Sequence, residues 1–139
     1  MEALMLYGQE HVRRYQETDG EVGYIWNGVP TLILTTTGRR SGSRRSTPLI
    51  VGRDGDDHVV VASKGGAPDH PAWYLNLVDR PEVEVQVGAD RFRARARTAE
   101  PGERERLWKL MTGIWPAYDD YQRKTDREIP VVVLERVNA

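Results

Sequence analysis

Four arginines, Arg39, Arg40, Arg44 and Arg45, crowd into the stretch TTTGRRSGSRRSTP between Thr35 and Pro48, interleaved with Ser41 and Ser43 and opened by Gly38 and Gly42. Planar guanidinium forks match the oxygens of phosphate and carboxylate, and the N–H groups of a glycine-containing turn can add neutral donors to the same anion. The whole chain carries a formal net charge of only -1, so any polyanion has to be gripped locally rather than by the overall field. Two readings stand side by side: a clasp for a polyanionic tail, and a solvated hairpin loop whose clustered charge has no ligand.

Two further segments have the residue types of a binding site. VASKGGAPDHPAWYLN, Val61 to Asn76, runs through two glycines into Trp73, Tyr74 and Asn76. Glycines there let a flat ligand approach the backbone, whose amides can hydrogen-bond ring carbonyls and nitrogens; the plainer reading is a strand-to-helix turn. Ser63 and Lys64 are adjacent and lack the SxxK spacing of a serine acyl-transfer enzyme. In WPAYDDYQRKTDREIP, Trp115 to Pro130, Tyr118 and Tyr121 are three apart and share one helix face, as a cleft wall or as core packing. His11, His58 and His70 have no paired ligand spacing, so no metal site is expected. The acidic pairs Asp56/Asp57 and Asp119/Asp120 fit a turn and a helix start.

The elements that must position these residues read as six strands. TLILTTT (Thr31–Thr37), RRSTPLIVG, DHVVVAS and IPVVVLERV are β-branched runs bounded by turn residues. Pro48 cannot donate to a ladder, which puts the second strand at an edge or a bulge, and RDGD offers Asp54 and Gly55 for a hairpin turn. EVEVQVGADRFRARAR folds on Gly88 and Ala89 so that Val85 faces Phe92, Val83 faces Ala94, Glu84 faces Arg93 and Glu82 faces Arg95. That pairing makes its arginine stripe structural. Helices are expected in GQEHVRRYQETD, in PAWYLNLVDR, in EPGERERLWKLMTGIW with Leu107, Leu110, Met111 and Ile114 as one stripe, and in PAYDDYQRKT. Sequential, hairpin-joined strands with inserted helices fit an antiparallel barrel with helical decoration; GxxxxGK[ST] and GxGxxG are absent.

A length of 139 residues suits one domain over 1–139, with an amphipathic helix within the first twenty residues. No cysteine is present, so thiol nucleophiles, disulfides and thiolate metal sites are excluded. No apolar run reaches the roughly 20 residues of a membrane span, and a cytoplasmic protein is expected, as a monomer or weak homodimer. Peripheral contact with the inner face of a membrane stays open, because the short apolar stripe of the first helix suits either lipid or the barrel.

Taken together, GQEHVRRYQETDGEVGYIWNG, LILTTTGRRSGSRRSTPL, VVVASKGGAPDHPAWYLNL and WPAYDDYQRKTDREIPVVVL resemble, in this order, the deazaflavin-dependent nitroreductase family. The resemblance implies a mainly β, α+β fold: a six-stranded antiparallel split β-barrel of the FMN-binding type with short flanking helices. It implies coenzyme F420, with Arg39, Arg40, Ser41 and Arg45 on the phosphate and glutamyl tail; Arg40 stands where relatives often carry lysine. Thr47, Pro48, Leu49 and Ile50 would run beside the ribityl chain and ring. Val61, Ala62, Ser63, Lys64, Ala72, Trp73, Tyr74 and Asn76 would cradle the deazaflavin, with Tyr121 closing over it. Reduced F420 would pass a hydride from C5 to a small electron-poor acceptor, a quinone or nitroaromatic, in a slot built by Trp73, Tyr118 and Tyr121. Ser63 would bond the ring or the charge developing on the acceptor, and the balancing proton would come from a tyrosine or water. The alternatives are an FMN-binding oxidoreductase on the same barrel, a non-catalytic F420 carrier, and a single-stranded nucleic-acid binder. The paired hairpin charges count against the last.

Overall fold

The computed structural model describes residues 6–137. In chain order the elements are α1 (Gly8–Glu17), β1 (Ile25–Trp26), β2 (Val29–Thr37), β3 (Arg44–Ile50), β4 (Gly52–Asp54), β5 (Asp57–Val61), a 3₁₀ turn (Lys64–Gly66), α2 (Ala72–Asp79), β6 (Glu82–Val87), β7 (Asp90–Thr98), α3 (Pro101–Ile114), α4 (Ala117–Arg123) and β8 (Val131–Arg136). The first helix occupies Gly8–Glu17 of the expected first twenty residues, the first five of which lie outside the described chain.

The strands form one antiparallel sheet in the order β1-β2-β6-β7-β8-β5-β4, with β3 paired to β2. Since β3 and β4 are separated by Val51 alone, the pairings describe a ring that bends at this residue. The expected six strands are therefore corrected to eight. One addition is β1, a two-residue strand on β2 whose hairpin turns at Asn27 (φ 50°) and Gly28 (φ 83°). The other arises because RRSTPLIVG breaks at Val51, whose N–H donates to the Pro30 carbonyl at 3.0 Å. Just beyond, Gly52 lies under α3, and a Cβ there would stand 2.6 Å from Met111 Sδ. The β4–β5 turn is made by Gly55 (φ 62°) and Asp56 instead of Asp54 and Gly55, since Asp54 pairs with Asp57.

Packing follows the hydrophobic pattern. The four consecutive buried residues Val131 to Leu134 divide between the two faces of β8: Val132 and Leu134 join Leu32, Leu34, Val60, Val83 and Val85 in one cluster. Val131 and Val133 join Leu107, Met111 and Tyr118 beneath α3 and α4. On the far side, α1 docks through Val12 and Tyr15 on Ile33. The Tyr15 hydroxyl donates to the Thr31 carbonyl at 2.9 Å and accepts from the Gly88 N–H at 2.8 Å, tying α1 to β2 and to the β6–β7 turn. The β6–β7 register is as expected, Val85 with Phe92 and Glu82 with Arg95. Glu84, however, pairs with Arg44 at 2.6 Å rather than with Arg93 opposite it.

One buried titratable group constrains the pH range of the fold. His58 is 4% exposed and packs on Phe92 at 5.3 Å, and its Nδ1 has no hydrogen-bond partner. Burial first, then the charge of Arg53, holds its pKa below the ordinary imidazole value. The folded state therefore disfavours the imidazolium. The stability that His58 contributes is intact above about pH 6.5 and is lost as the pH falls from there toward its folded pKa. Thermal melts should accordingly show a lower Tm at about pH 5.5 than at about pH 7.5, and a smaller drop in His58→Phe. Identical pH slopes in the two proteins would place the acid sensitivity elsewhere.

Candidate functional site

The arginine loop links β2 to β3 and is closed from within. The Gly38 N–H donates to the Ser43 carbonyl at 2.7 Å, the Gly42 N–H to the Gly38 carbonyl at 2.8 Å, and the Ser43 N–H to Ser41 Oγ at 3.1 Å. The amides of Gly38 and Gly42, expected to face a ligand, are thus consumed by the turn. Asn76 of α2 anchors the loop. It is 6% exposed, its Oδ1 accepts the Arg39 N–H at 3.1 Å, and its Nδ2 donates to Thr36 Oγ1 at 3.3 Å. Both ends of a buried carboxamide are satisfied, as burial requires.

Arg39, Arg40, Ser41, Arg45, Thr47, Ala72, Trp73 and Asn76 line an open cleft of about 520 Å³. Of the four loop arginines, Arg44 is held by Glu84. Among the described residues the other three make no ion pair with a carboxylate, and they keep their exposed guanidiniums on or beside the cleft.

A second cavity of about 410 Å³ adjoins the first, sharing Thr47 and Trp73. Its walls include Thr47, Pro48, Leu49 and Ile50 of β3, Val61 at the end of β5, then Ser63, Lys64 and Gly65, and Trp73, Tyr118 and Tyr121. Lys64 (φ 47°), Gly65 (φ 64°) and Gly66 (φ 85°) are successive left-handed residues, a strained run for the lysine. Their turn closes through Gly66 N–H to the Ser63 carbonyl at 2.9 Å and Ala67 N–H to the Lys64 carbonyl at 3.1 Å. Neither bond uses the amides of Lys64 and Gly65, the two turn residues that line the cavity. Gly66 admits a close approach: a Cβ there would lie 2.6 Å from the Tyr121 carbonyl oxygen.

Tyr118 and Tyr121 meet edge to face at 6.0 Å. Burial, aided by Tyr121, holds the Tyr118 phenol far above its ordinary range. It is a neutral hydroxyl at physiological pH, able to hold or donate a proton but not to act as a base. The Tyr121 hydroxyl accepts from Trp115 Nε1 at 3.3 Å, which fixes its ring.

Two expected residues line neither space. Ala62 is fully buried, with its N–H on the Pro130 carbonyl at 2.9 Å and its carbonyl taken by Arg127 Nη1 at 3.2 Å. Tyr74 faces away, its hydroxyl 2.8 Å from Thr98 Oγ1 and its ring on His70 at 4.9 Å. Conversely, sequence reasoning missed Leu6, Tyr7, His11, Trp26 and Trp115, which complete the second cavity. Trp26 Nε1 donates to the Leu6 carbonyl at 2.8 Å, and its ring meets Trp115 at 5.7 Å and Tyr7 at 6.0 Å. His11 Nε2 donates to the Gly23 carbonyl at 2.8 Å. The available signal for Trp26 was Asn27-Gly28, a pair suited to a tight hairpin turn that sets the tryptophan at its shoulder. No group of three or more metal-ligating side chains occurs among the described residues.

This chain is similar to known proteins over most of its length. An F420H(2)-dependent quinone reductase of Mycobacterium tuberculosis is 42% identical over 130 residues, 91% of this chain and 87% of the relative. The solved structure of an F420-H2 dependent reductase, FDR-A, superposes with a TM-score of 0.71 at 45% identity, covering 76% of this chain and 94% of that one. A structure described as a domain-swapped dimer gives a TM-score of 0.74 at 41% identity, covering 89% and 96%. The model of the F420H(2)-dependent quinone reductase family matches residues 7–136, and the chain belongs to that family.

Proposed function

We propose that this protein is a reductase in which the arginine cleft holds the anionic tail of F420 and the adjoining aromatic cavity holds its deazaflavin beside a quinone-like acceptor. One observation carries the reading: three guanidiniums that make no ion pair with a carboxylate among the described residues stand next to a largely apolar cavity, and the two spaces meet at Thr47 and Trp73. A ligand with a multiply negative tail and a flat heterocycle has that polarity along its length. The residues present therefore suit F420. FMN, the alternative on this type of fold, brings a single phosphate and would leave part of the cationic set unpaired. The ring of strands supports a split β-barrel.

When bound, reduced F420 supplies a hydride to an electron-poor acceptor. The chain's own residues bind, orient and exclude water. Arg39, Arg40, Arg45 and the Ser41 hydroxyl take the tail. The amides of Lys64 and Gly65 and the Ser63 hydroxyl supply donors at the ring wall, where developing negative charge is stabilised by groups already aimed. Trp73, Tyr118 and Tyr121, with Trp26 and Trp115, confine a planar acceptor by stacking. The neutral Tyr118 phenol holds a proton at its Oη.

Ligand fluorescence with F420 and FMN separately, followed by menadione-dependent reoxidation of the reduced complex, tests the reading. F420 binding with turnover is expected. Tight FMN binding without F420 affinity would overturn it, and binding without turnover would identify a carrier. Arg40→Glu and Arg45→Glu should each raise the Kd for F420 about tenfold or more, by removing a charge-assisted contact and adding repulsion. Unchanged affinity in both would remove the clasp. Asn76→Ala leaves the part-buried Arg39 N–H without its acceptor and removes the buried carboxamide, and should destabilise the protein by about 1 kcal/mol in denaturant titration, weakening F420 binding as well. Tyr118→Ala should lower kcat with menadione more than it changes the Kd for F420, measured by steady-state kinetics beside the binding titration.

A further inference from the structure

The segment that carries Ser63, Lys64 and Gly65 has a strained backbone and leaves β5 with no ladder to hold it. It is held instead by a side chain about 60 residues away in sequence. Arg127 Nε donates to the Ala67 carbonyl at 2.8 Å, Nη2 to the Ser63 carbonyl at 2.7 Å, and Nη1 to the Ala62 carbonyl at 3.2 Å and to His70 Nδ1 at 3.1 Å. Every acceptor is neutral and belongs to the stretch from Ala62 to His70. An arginine in so polar a setting ordinarily meets a carboxylate; Arg127 is half-buried and makes no such ion pair among the described residues. Burial lowers its pKa, in keeping with a cation placed for its donor geometry and not for charge pairing.

The other end of Arg127 is equally fixed. Its carbonyl accepts from Gln122 Nε2 at 2.8 Å, and Gln122 Oε1 accepts the Ile129 N–H at 2.9 Å. Gln122 follows Tyr121 on α4, and Tyr121 lines the same cavity as the Ser63–Gly65 turn. One residue thus joins the two walls: its backbone is bonded to the tyrosine helix and its guanidinium to the Ser63–Gly65 turn. Where these walls touch, Gly66 leaves no room for a Cβ against the Tyr121 carbonyl.

We infer that Arg127 is a positioning residue that seats the Ser63–Gly65 turn against the Tyr121 helix, and so fixes the shape of the cavity wall for a planar ring. The inference rests on the ring-binding reading of that cavity. Lysine cannot reproduce it, because one ammonium nitrogen cannot span carbonyls that three guanidinium nitrogens reach. Because arginine can only donate, His70 must accept at Nδ1 and carry its proton on Nε2.

The test compares Arg127→Lys and Arg127→Ala with Arg95→Lys, a control on the exposed pair with Glu82. Amide hydrogen exchange should rise roughly tenfold or more at residues 63–67 in both Arg127 variants and stay unchanged in the β6–β7 hairpin, where a merely global loss of stability would raise both. The Kd for F420 should rise about tenfold in Arg127→Lys and remain at the wild-type value in Arg95→Lys. In the wild-type protein, ¹⁵N NMR of the imidazoles should show His70 Nδ1 unprotonated. A protonated Nδ1 would overturn the proposal without any variant, as would wild-type exchange at residues 63–67 in Arg127→Lys. If wild-type protein fails to bind F420, the function reading falls, while the exchange and NMR measurements still decide the role of Arg127.

Discussion

Among the described strands β3 pairs only with β2, and both halves of the cleft lie along the side that this pairing leaves open. Pro48 sits opposite Ile33 and has no N–H to offer a second neighbour, so the outer edge of β3 is left without a strand. Along this edge Arg45 and Thr47 serve the cationic cleft, while Pro48, Leu49 and Ile50 serve the apolar cavity. A central strand in the same place would have spent these groups on sheet pairing and core burial. The edge position leaves them as a wall that runs from charge to hydrocarbon within a few residues.

The two halves meet opposite electrostatic requirements. Guanidiniums stay exposed and available because water screens their mutual repulsion, and the loop that carries them is stiffened from below by the buried amide of Asn76. The aromatic cavity, by contrast, is fixed by hydrogen bonds to uncharged acceptors: Trp26 to the Leu6 carbonyl, Trp115 to the Tyr121 hydroxyl, and His11 to the Gly23 carbonyl. Each satisfies the polar edge of a ring whose body faces the cavity. An aromatic slot of this kind gives stacking surface at small entropic cost, since rings with two torsions lose little freedom on binding.

Backbone strain is concentrated where the two walls come together. Lys64, Gly65 and Gly66 lie in the left-handed region beside Tyr121, and such conformations persist only where the surroundings over-determine them. The four donations from Arg127 and the Gly66–Tyr121 approach supply that determination. Stability is then anchored elsewhere, in β8 with both faces buried and in Tyr15, whose hydroxyl ties three elements to one point.

Much of the fold was legible because its causes are local. Period-two alternation with opposite charges set the β6–β7 register, four successive apolar residues marked β8 as covered on both faces, and Pro48 marked the edge. The four stretches that carried the family resemblance also contain most of the cleft lining. What the sequence left open depends on contacts between distant residues. Adjacent arginines are chemically alike until Glu84, forty residues on, removes Arg44 from the set. Ala62 and Tyr74 sit inside the right stretches, yet a pleat and a helix turn point them at other partners. His11 and Arg127 have no local signature of a site, and Trp26 only that of a hairpin, because their places come from packing separate segments around one cavity. Side-chain type and spacing therefore determined which chemistry was on offer, and only the antiparallel sheet with its inserted helices decided which groups face the cleft, since facing is a property of long-range packing.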